Sequence, residues 1–188
     1  PDWVIHPSAG GTGIVYLWQG FKEFRSLGWI DRLPKLVAAQ SEAAAPLVQA
    51  MAKGSLTFEP VDAQETVAES IQVGNPSSLG NRALAALRES KGTAVALSDE
   101  EILQAQAQIA RLAGIFTEPA AATSLAAAKI LRANGIIGRD DVVVCNLTGH
   151  GLKQPEAVRC AERDFAAIAP SLTALREQLK RRAGDAKA

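Results

Sequence analysis

Four short apolar runs recur along this chain, each separated from the next by at least one stretch of helical character. That alternation restricts the fold more than any other feature. Trp3 to His6, Leu36 to Ala39, Thr93 to Leu97 and Val142 to Cys145 are apolar or β-branched on consecutive positions rather than on every second one. Strands of that kind are covered on both faces. Between them, helices are predicted over about 14–27, 42–52 and 82–90, with two more between 98 and 134. The expected class is α/β, a largely parallel sheet flanked by helices, in which ligands bind beyond the carboxyl ends of the strands.

Local signals set the boundaries. "SDEE" at 98–101 reads as a capping box, with Ile102, Ala105, Ile109 and Leu112 recurring at helical spacing behind it and Gly114 placed to end the helix. Pro119 opens the next helix, "AAATSLAAAKILRA", whose small residues allow a close neighbour, and Asn134-Gly135 stops it. "VGNPSSLGN" at 73–81 reads as turn chemistry, with Gly80 breaking the backbone. Gly54 to Gln64 reads as loop, and Thr66 to Ile71 as either a short helix or a strand. A final amphipathic helix is expected over 156–182, kinked at Pro170.

Composition excludes several classes. With 47% hydrophobic and 21% charged residues, the chain of 188 residues has ample material for a core. Twenty basic and 20 acidic side chains balance, which leaves no basic stripe for nucleic acid or an anionic membrane. Lys180-Arg181-Arg182 ends a helical pattern, where cations suit the helix dipole. Cys145 and Cys160 lack a metal-ligand context and read as reduced thiols, so a cytoplasmic location is expected. No membrane span or signal peptide is visible. Pro1-Asp2-Trp3 enters a strand at once, as though the chain began inside a domain.

The loop after the first run, "PSAGGTG", holds the chemistry. Glycines remove Cβ atoms, so backbone N–H groups can converge on an anion at the start of the following helix. The loop fits neither the dinucleotide fingerprint nor the P-loop, and a turn without any ligand remains an alternative. A second loop, "CNLTGHG", places Asn146, Thr148 and His150 after the last apolar run. If the two strands are neighbours, a phosphorylated heteroaromatic ligand suits the pair.

Several stretches, in order, resemble one family: "PDWVIHPSAGGTGIVYLWQGFKEFRSLGWIDRLPKLVAAQSEAAAPLVQA", "ETVAESIQVGNPSS", "ALRESKGTAVALSDEEILQAQ", "GIFTEPAAATSLAA" and "VVVCNLTGHGLKQP". They resemble the carboxy-terminal portion of the threonine synthases, pyridoxal-phosphate enzymes of the tryptophan-synthase-β-like fold (fold type II). The resemblance implies a catalytic-domain portion over 1–154 and a helical extension over 155–188. It implies that Ala9, Gly10, Gly11, Thr12 and Gly13 hold the phosphate of pyridoxal 5'-phosphate and that Thr148 meets the pyridine nitrogen. The commoner loop, of the type G-N-x-G-N, differs at Ala9, Thr12 and Gly13, so contacts made by asparagine there are lost. The implied reaction converts O-phospho-L-homoserine and water to L-threonine and phosphate. Threonine dehydratase, diaminopropionate lyase and a non-catalytic phosphate-binding relic are the alternatives.

The family's cofactor-bearing lysine lies upstream, in a segment like S-F-K-D-R, and none of this chain's lysines matches it. Lys153 lies nearest the expected site but aligns as a loop residue. The chain therefore reads as roughly the second half of an enzyme, inactive without a lysine-bearing amino-terminal half, and a homodimer is a family expectation. Among the remaining residues, His6 reads as a packed histidine, His150 as a structural loop residue and Asn75 as turn chemistry. Trp3, Trp18, Phe21 and Trp29 read as core or rim. Glu118 fits a cofactor border and a helix start equally well.

Overall fold

Ile5 has no exposed surface because its strand has a neighbour on each side and helices above and below. The computed structural model describes residues 1–157 and 168–185, divided between two units, Pro1–Val158 and Arg159–Ala188. In the first, β1 (Trp3–Pro7), β2 (Lys35–Ser41), β3 (Thr93–Leu97) and β4 (Val143–Cys145) form one sheet of order β3-β2-β1-β4. Every pairing is parallel, with Ile5 opposite Val37 on one side and Cys145 on the other. The four apolar runs are thus the four strands. Asp2 accepts from the Val142 N–H at 2.8 Å and the Trp3 indole donates to Asp141 at 2.9 Å, which draws the start of β4 against β1.

Alternate residues sort onto two faces. Trp3, Ile5, Val37 and Leu97 pack with Ile102 and Ala105 of α4 (Asp99–Ala113) and with Ala120, Ala122 and Ala126 of α5 (Pro119–Ala133). Val4, Leu36 and Ala38 pack with α1 (Thr12–Ser26), α2 (Pro46–Ala52) and α3 (Ser77–Glu89). Full burial of a side chain such as Ile5 contributes about 1.5–3 kcal/mol. The small residues of α5 let it lie close against the sheet, and the hydroxyls of Thr123 and Ser124 donate to carbonyls one turn back. The 98–101 capping box forms as expected, and Gly114 ends α4 at φ 68°.

Several boundaries differ from expectation. The helix over 42–52 is split: Glu42–Ala44 forms a single 3-10 turn, and Ala45 sits at φ −120°, ψ 52° before α2 begins at Pro46. A residue preceding proline is kept out of the α region. Helix α3 starts at Ser77, not Arg82, and Gly80 lies inside it rather than breaking it. A Cβ at Gly80 would come within 2.6 Å of the Phe58 ring and 3.0 Å of Pro76. Glycine there answers a packing need and not a turn. Residues 66–71 are neither strand nor α-helix, apart from a 3-10 turn at Glu69–Ile71. Leu112 is 77% exposed, because the last turn of α4 runs out past the packed surface, and Trp29 is exposed over Phe24.

In the second unit, α6 spans Leu172–Asp185, with the Ser171 hydroxyl accepting from the Ala174 N–H. Residues 168–171 are non-helical, so Pro170 precedes this helix instead of kinking it. The rest of the expected 156–182 helix is a 3-10 turn at Pro155–Ala157 or, like Cys160, falls outside the described residues. Among the described residues no helix is long and apolar enough to cross a membrane.

The β2–β3 contact leaves no room at Gly92, where a Cβ would strike the Leu36 carbonyl. Gly92→Ala is expected to destabilise by roughly 1–3 kcal/mol, read as a lower denaturant midpoint at unchanged slope.

Candidate functional site

Parallel pairing brings the carboxyl ends of β1 and β4 side by side, so the loops that follow them share one cleft. The Asn146 N–H continues the ladder to Ile5 O at 3.0 Å. Ala9, Gly10, Gly11, Thr12 and Gly13 line this cleft of about 270 Å³ together with Thr148. His6, Ser70, Glu118 and Lys153 complete much of the wall. The structure therefore brings together all six residues singled out from the sequence.

The loop is held from beneath. Gln40, fully buried at the end of β2, donates to the carbonyls of Ser8 and Ala9 at 3.2 and 3.4 Å. Its carbonyl accepts from Leu47 N and Val48 N at 2.9 and 3.3 Å, tying the loop to the start of α2. The glycines divide by cause. Gly11 is the N-cap of α1 at φ 88°, and a Cβ there would lie 2.5 Å from that of Ala83. A Cβ at Gly13 would enter the His6 imidazole. At Gly10 the nearest atom to a Cβ is Pro76 Cα at 3.8 Å, so nothing in the fold demands glycine there. No side chain caps α1 and no acid sits in its first turn. Its amino-terminal N–H groups and positive dipole end are left for an anion.

The second loop is strapped to the segment before α5. Gly149 O accepts from the Glu118 N–H at 3.0 Å and from the Thr117 hydroxyl at 2.8 Å, and Thr117 and His150 form an isolated antiparallel bridge. Glu118 stands at the N-cap of α5 but its side chain caps nothing. The carboxylate is 6% exposed, takes a hydrogen bond from Ser70 at 3.0 Å and lies 3.6 Å from the Lys153 ammonium. It also presses on Gly149, where a Cβ would collide with it. Lys153, in a 3-10 turn at Gly151–Lys153, is largely exposed. His150 serves its loop, its Nδ1 accepting from Leu152 N at 3.1 Å. Asn75 closes a turn on Ser77 N.

His6 links the two loops. The Asn146 amide nitrogen, which can only donate, lies 3.0 Å from His6 Nδ1, so the neutral ring carries its proton on Nε2. Burial lowers this imidazole from its usual 6.5. Burial likewise pushes the Cys145 thiol up, and Cys145 donates weakly to Ser124 O.

With this geometry in view, comparison with known proteins is decisive. The sequence model of the family described as "Pyridoxal-phosphate dependent enzyme" matches residues 1–149. The chain belongs to that family. Threonine synthase of Methanosarcina acetivorans is 42% identical over 179 residues, covering 95% of this chain and 44% of the relative. That of Methanocaldococcus jannaschii is 43% identical over 180 residues, covering 96% and 44%. The chain thus spans under half the length of these curated relatives. The crystal structure of threonine synthase from Escherichia coli superposes with a TM-score of 0.62 at 20% identity, over 96% of this chain and 44% of that one, and shows the common fold type II architecture.

The residues present fit the family's cofactor. An uncapped helix start and an unneeded Gly10 suit an anion, and Thr148 brings a hydroxyl donor to the same cleft. Sequence reading missed Gln40, although an amide ending the run "LVAAQS" is a signal. It also missed Ser70, which carries none.

The sign of the His6 effect follows from its lowered pKa. The unfolded chain takes up a proton near 6.5 while the folded chain resists it, so stability is whole above that pH and is lost as pH falls below it. Glu59, Glu89 and Asp141, held below the usual carboxylate range by their hydrogen-bond partners, act at lower pH. Thermal melts from about pH 7.5 to about pH 5.5 should show a falling midpoint that is flattened in His6→Gln.

Proposed function

We propose that this chain is the carboxy-terminal part of a threonine synthase, converting O-phospho-L-homoserine and water to L-threonine and phosphate. Residues 1–154 form the cofactor-binding portion, and the segment that follows it carries α6 (Leu172–Asp185). The chain is inactive until joined by the lysine-bearing half. The observation that carries the reading is the single cleft in which loop 9–13 and Thr148 meet at adjacent strand ends. The 42% identity to a threonine synthase over 95% of the chain supports the substrate.

When bound, pyridoxal phosphate supplies the electron sink for breaking bonds to substrate carbons. The chain's own contribution is to place that sink. The backbone N–H groups at the start of α1 hold the phosphate, and Gly10 leaves the approach open. The Thr148 hydroxyl would donate to the ring nitrogen, and a neutral donor there would temper the sink. Glu118, engaged by Ser70 and Lys153, forms part of the same cleft wall. Gln40 holds the loop carbonyls turned away from the anion.

The test supplies the chain with pyridoxal phosphate and the part of Methanosarcina acetivorans threonine synthase that lies outside the match. Phosphate release from O-phospho-L-homoserine is expected from the mixture and from neither part alone. Cofactor binding without phosphate release would overturn the substrate. In the same mixture Gly10→Val should weaken cofactor affinity roughly tenfold or more, about 1.4 kcal/mol, without lowering the melting point of the chain. Gly11→Val is a poor probe, since Ala83 and the positive φ would unseat the loop whatever it binds.

A further inference from the structure

His6 stands where the two loops of the cleft meet, and one of its ring nitrogens is already bonded. Asn146 donates to Nδ1 at 3.0 Å, which leaves the proton of the neutral ring on Nε2. Among the described residues no atom accepts from Nε2, yet no buried side-chain nitrogen or oxygen lacks a partner. Nε2 therefore opens into the space that His6 lines, which includes the wall of the cofactor cleft. A neighbouring amide has oriented the ring, and its second nitrogen is free to donate.

Gly13 shows where that nitrogen lies. His6, two residues after Val4, points to the α1 side of the sheet. A Cβ on Gly13 would run into the imidazole, and Nε2 is the ring atom it would strike first. Gly13 is the second residue of α1, and the Cα–Cβ bond of a helical residue leans towards the helix's amino end. Nε2 thus takes the place of a side chain that would reach back over the first turn. That turn presents the N–H groups left for an anion. Glycine at 13 admits the ring to this position, and a larger residue would push it off the helix start.

The ring is suited to donate rather than to carry charge. Burial holds its pKa below the usual 6.5, so at neutral pH it is an uncharged N–H donor. A hydrogen bond to an ionised partner is stronger than one between neutral groups. The chain's other histidine offers an internal contrast. His150 does not line the cofactor cleft, and its Nδ1 accepts from the Leu152 N–H within its own turn.

We propose that His6 is a binding residue of the anion site: its Nε2–H donates to an oxygen of the phosphate held at the start of α1, and Gly13 is glycine so that the ring can reach it. The inference rests on the proposed function and adds to the backbone donors a side-chain contact. That contact comes from β1 and is oriented by the amide that follows β4, so two adjacent strand ends act on one ligand group.

The experiment follows the two histidine rings and the backbone amides of the isotope-labelled chain by NMR at about pH 7.5, where the His6 ring is neutral. Inorganic phosphate is added first, then pyridoxine phosphate, with pyridoxine as the control without a phosphate. The ring of His6 is expected to carry its proton on Nε2 from the start. That nitrogen and its hydrogen should shift with either phosphate, in step with the amides of residues 12–14, and not with pyridoxine, while His150 stays unmoved. His6→Phe keeps a ring without nitrogens, and His6→Gln keeps an amide donor near the place of Nε2. The first should bind inorganic phosphate at least about tenfold more weakly and the second should recover most of that loss. A ring protonated on Nδ1, or a His6 signal that stays put while the amides move, overturns the contact and leaves the cradle standing. So does wild-type binding by His6→Phe. His6→Gln as weak as His6→Phe assigns the ring a packing role and overturns the donor. If His6→Phe fails to fold, the wild-type ring signal decides. If neither the amides nor His6 respond to pyridoxine phosphate, the cradle of the proposed function falls and the contact falls with it.

Discussion

The site depends on β1 having a parallel partner on each side. Because β2, β1 and β4 run the same way, their carboxyl ends arrive together. Each contributes something different there. β1 delivers the glycine loop, β2 delivers the Gln40 amide that fixes the loop's carbonyls, and β4 delivers Asn146 and Thr148. One-residue slippage of β4 would send Val143 and Cys145 to the opposite face and withdraw the Asn146 amide from His6. The contacts of Asp2 with Val142 and of Trp3 with Asp141, at the far end of the strands, guard that register.

Within the loop, three neighbouring glycines answer to different demands. Gly11 satisfies a left-handed backbone and the proximity of α3, and Gly13 makes room for an imidazole. Gly10 answers to neither. A loop of this kind resists replacement at two positions for reasons internal to the fold, and its openness towards a ligand rests on the third. The same division of labour runs through the second loop, where Gly149 yields its space to the Glu118 carboxylate while Thr148 faces the cleft.

Much of this was legible in the sequence, because strand cores and helix caps are local properties. Consecutive apolar residues marked all four strands, and "SDEE" and Pro119 marked two helix starts. The loop residues from Ala9 to Gly13 and Thr148 were legible through glycine chemistry and a family resemblance, and the structure gathers them in one cleft. What stayed hidden was long-range. Gly80 resembled a turn because Phe58, which requires it, lies 22 positions away in sequence. Leu112 matched the helical period, yet period alone does not tell where a neighbouring surface stops. Ser70 reaches Glu118 across 48 positions, and no spacing rule anticipates such a pair.

The placement of β4 has a consequence for how the molecule is made. The first strand of the chain is completed by the last strand of the sheet: Asn146 meets His6 across 140 positions, and Asp141 meets Trp3 across 138. A ribosome therefore releases β1 long before its second partner exists. Closing so distant a pair carries a large loop entropy, which slows folding and leaves an apolar strand edge waiting in the meantime. The helices α4 and α5, which pack on that waiting strand from one face, emerge before β4 does. They are thus in place to cover one face of β1 before its three-residue partner β4 is made.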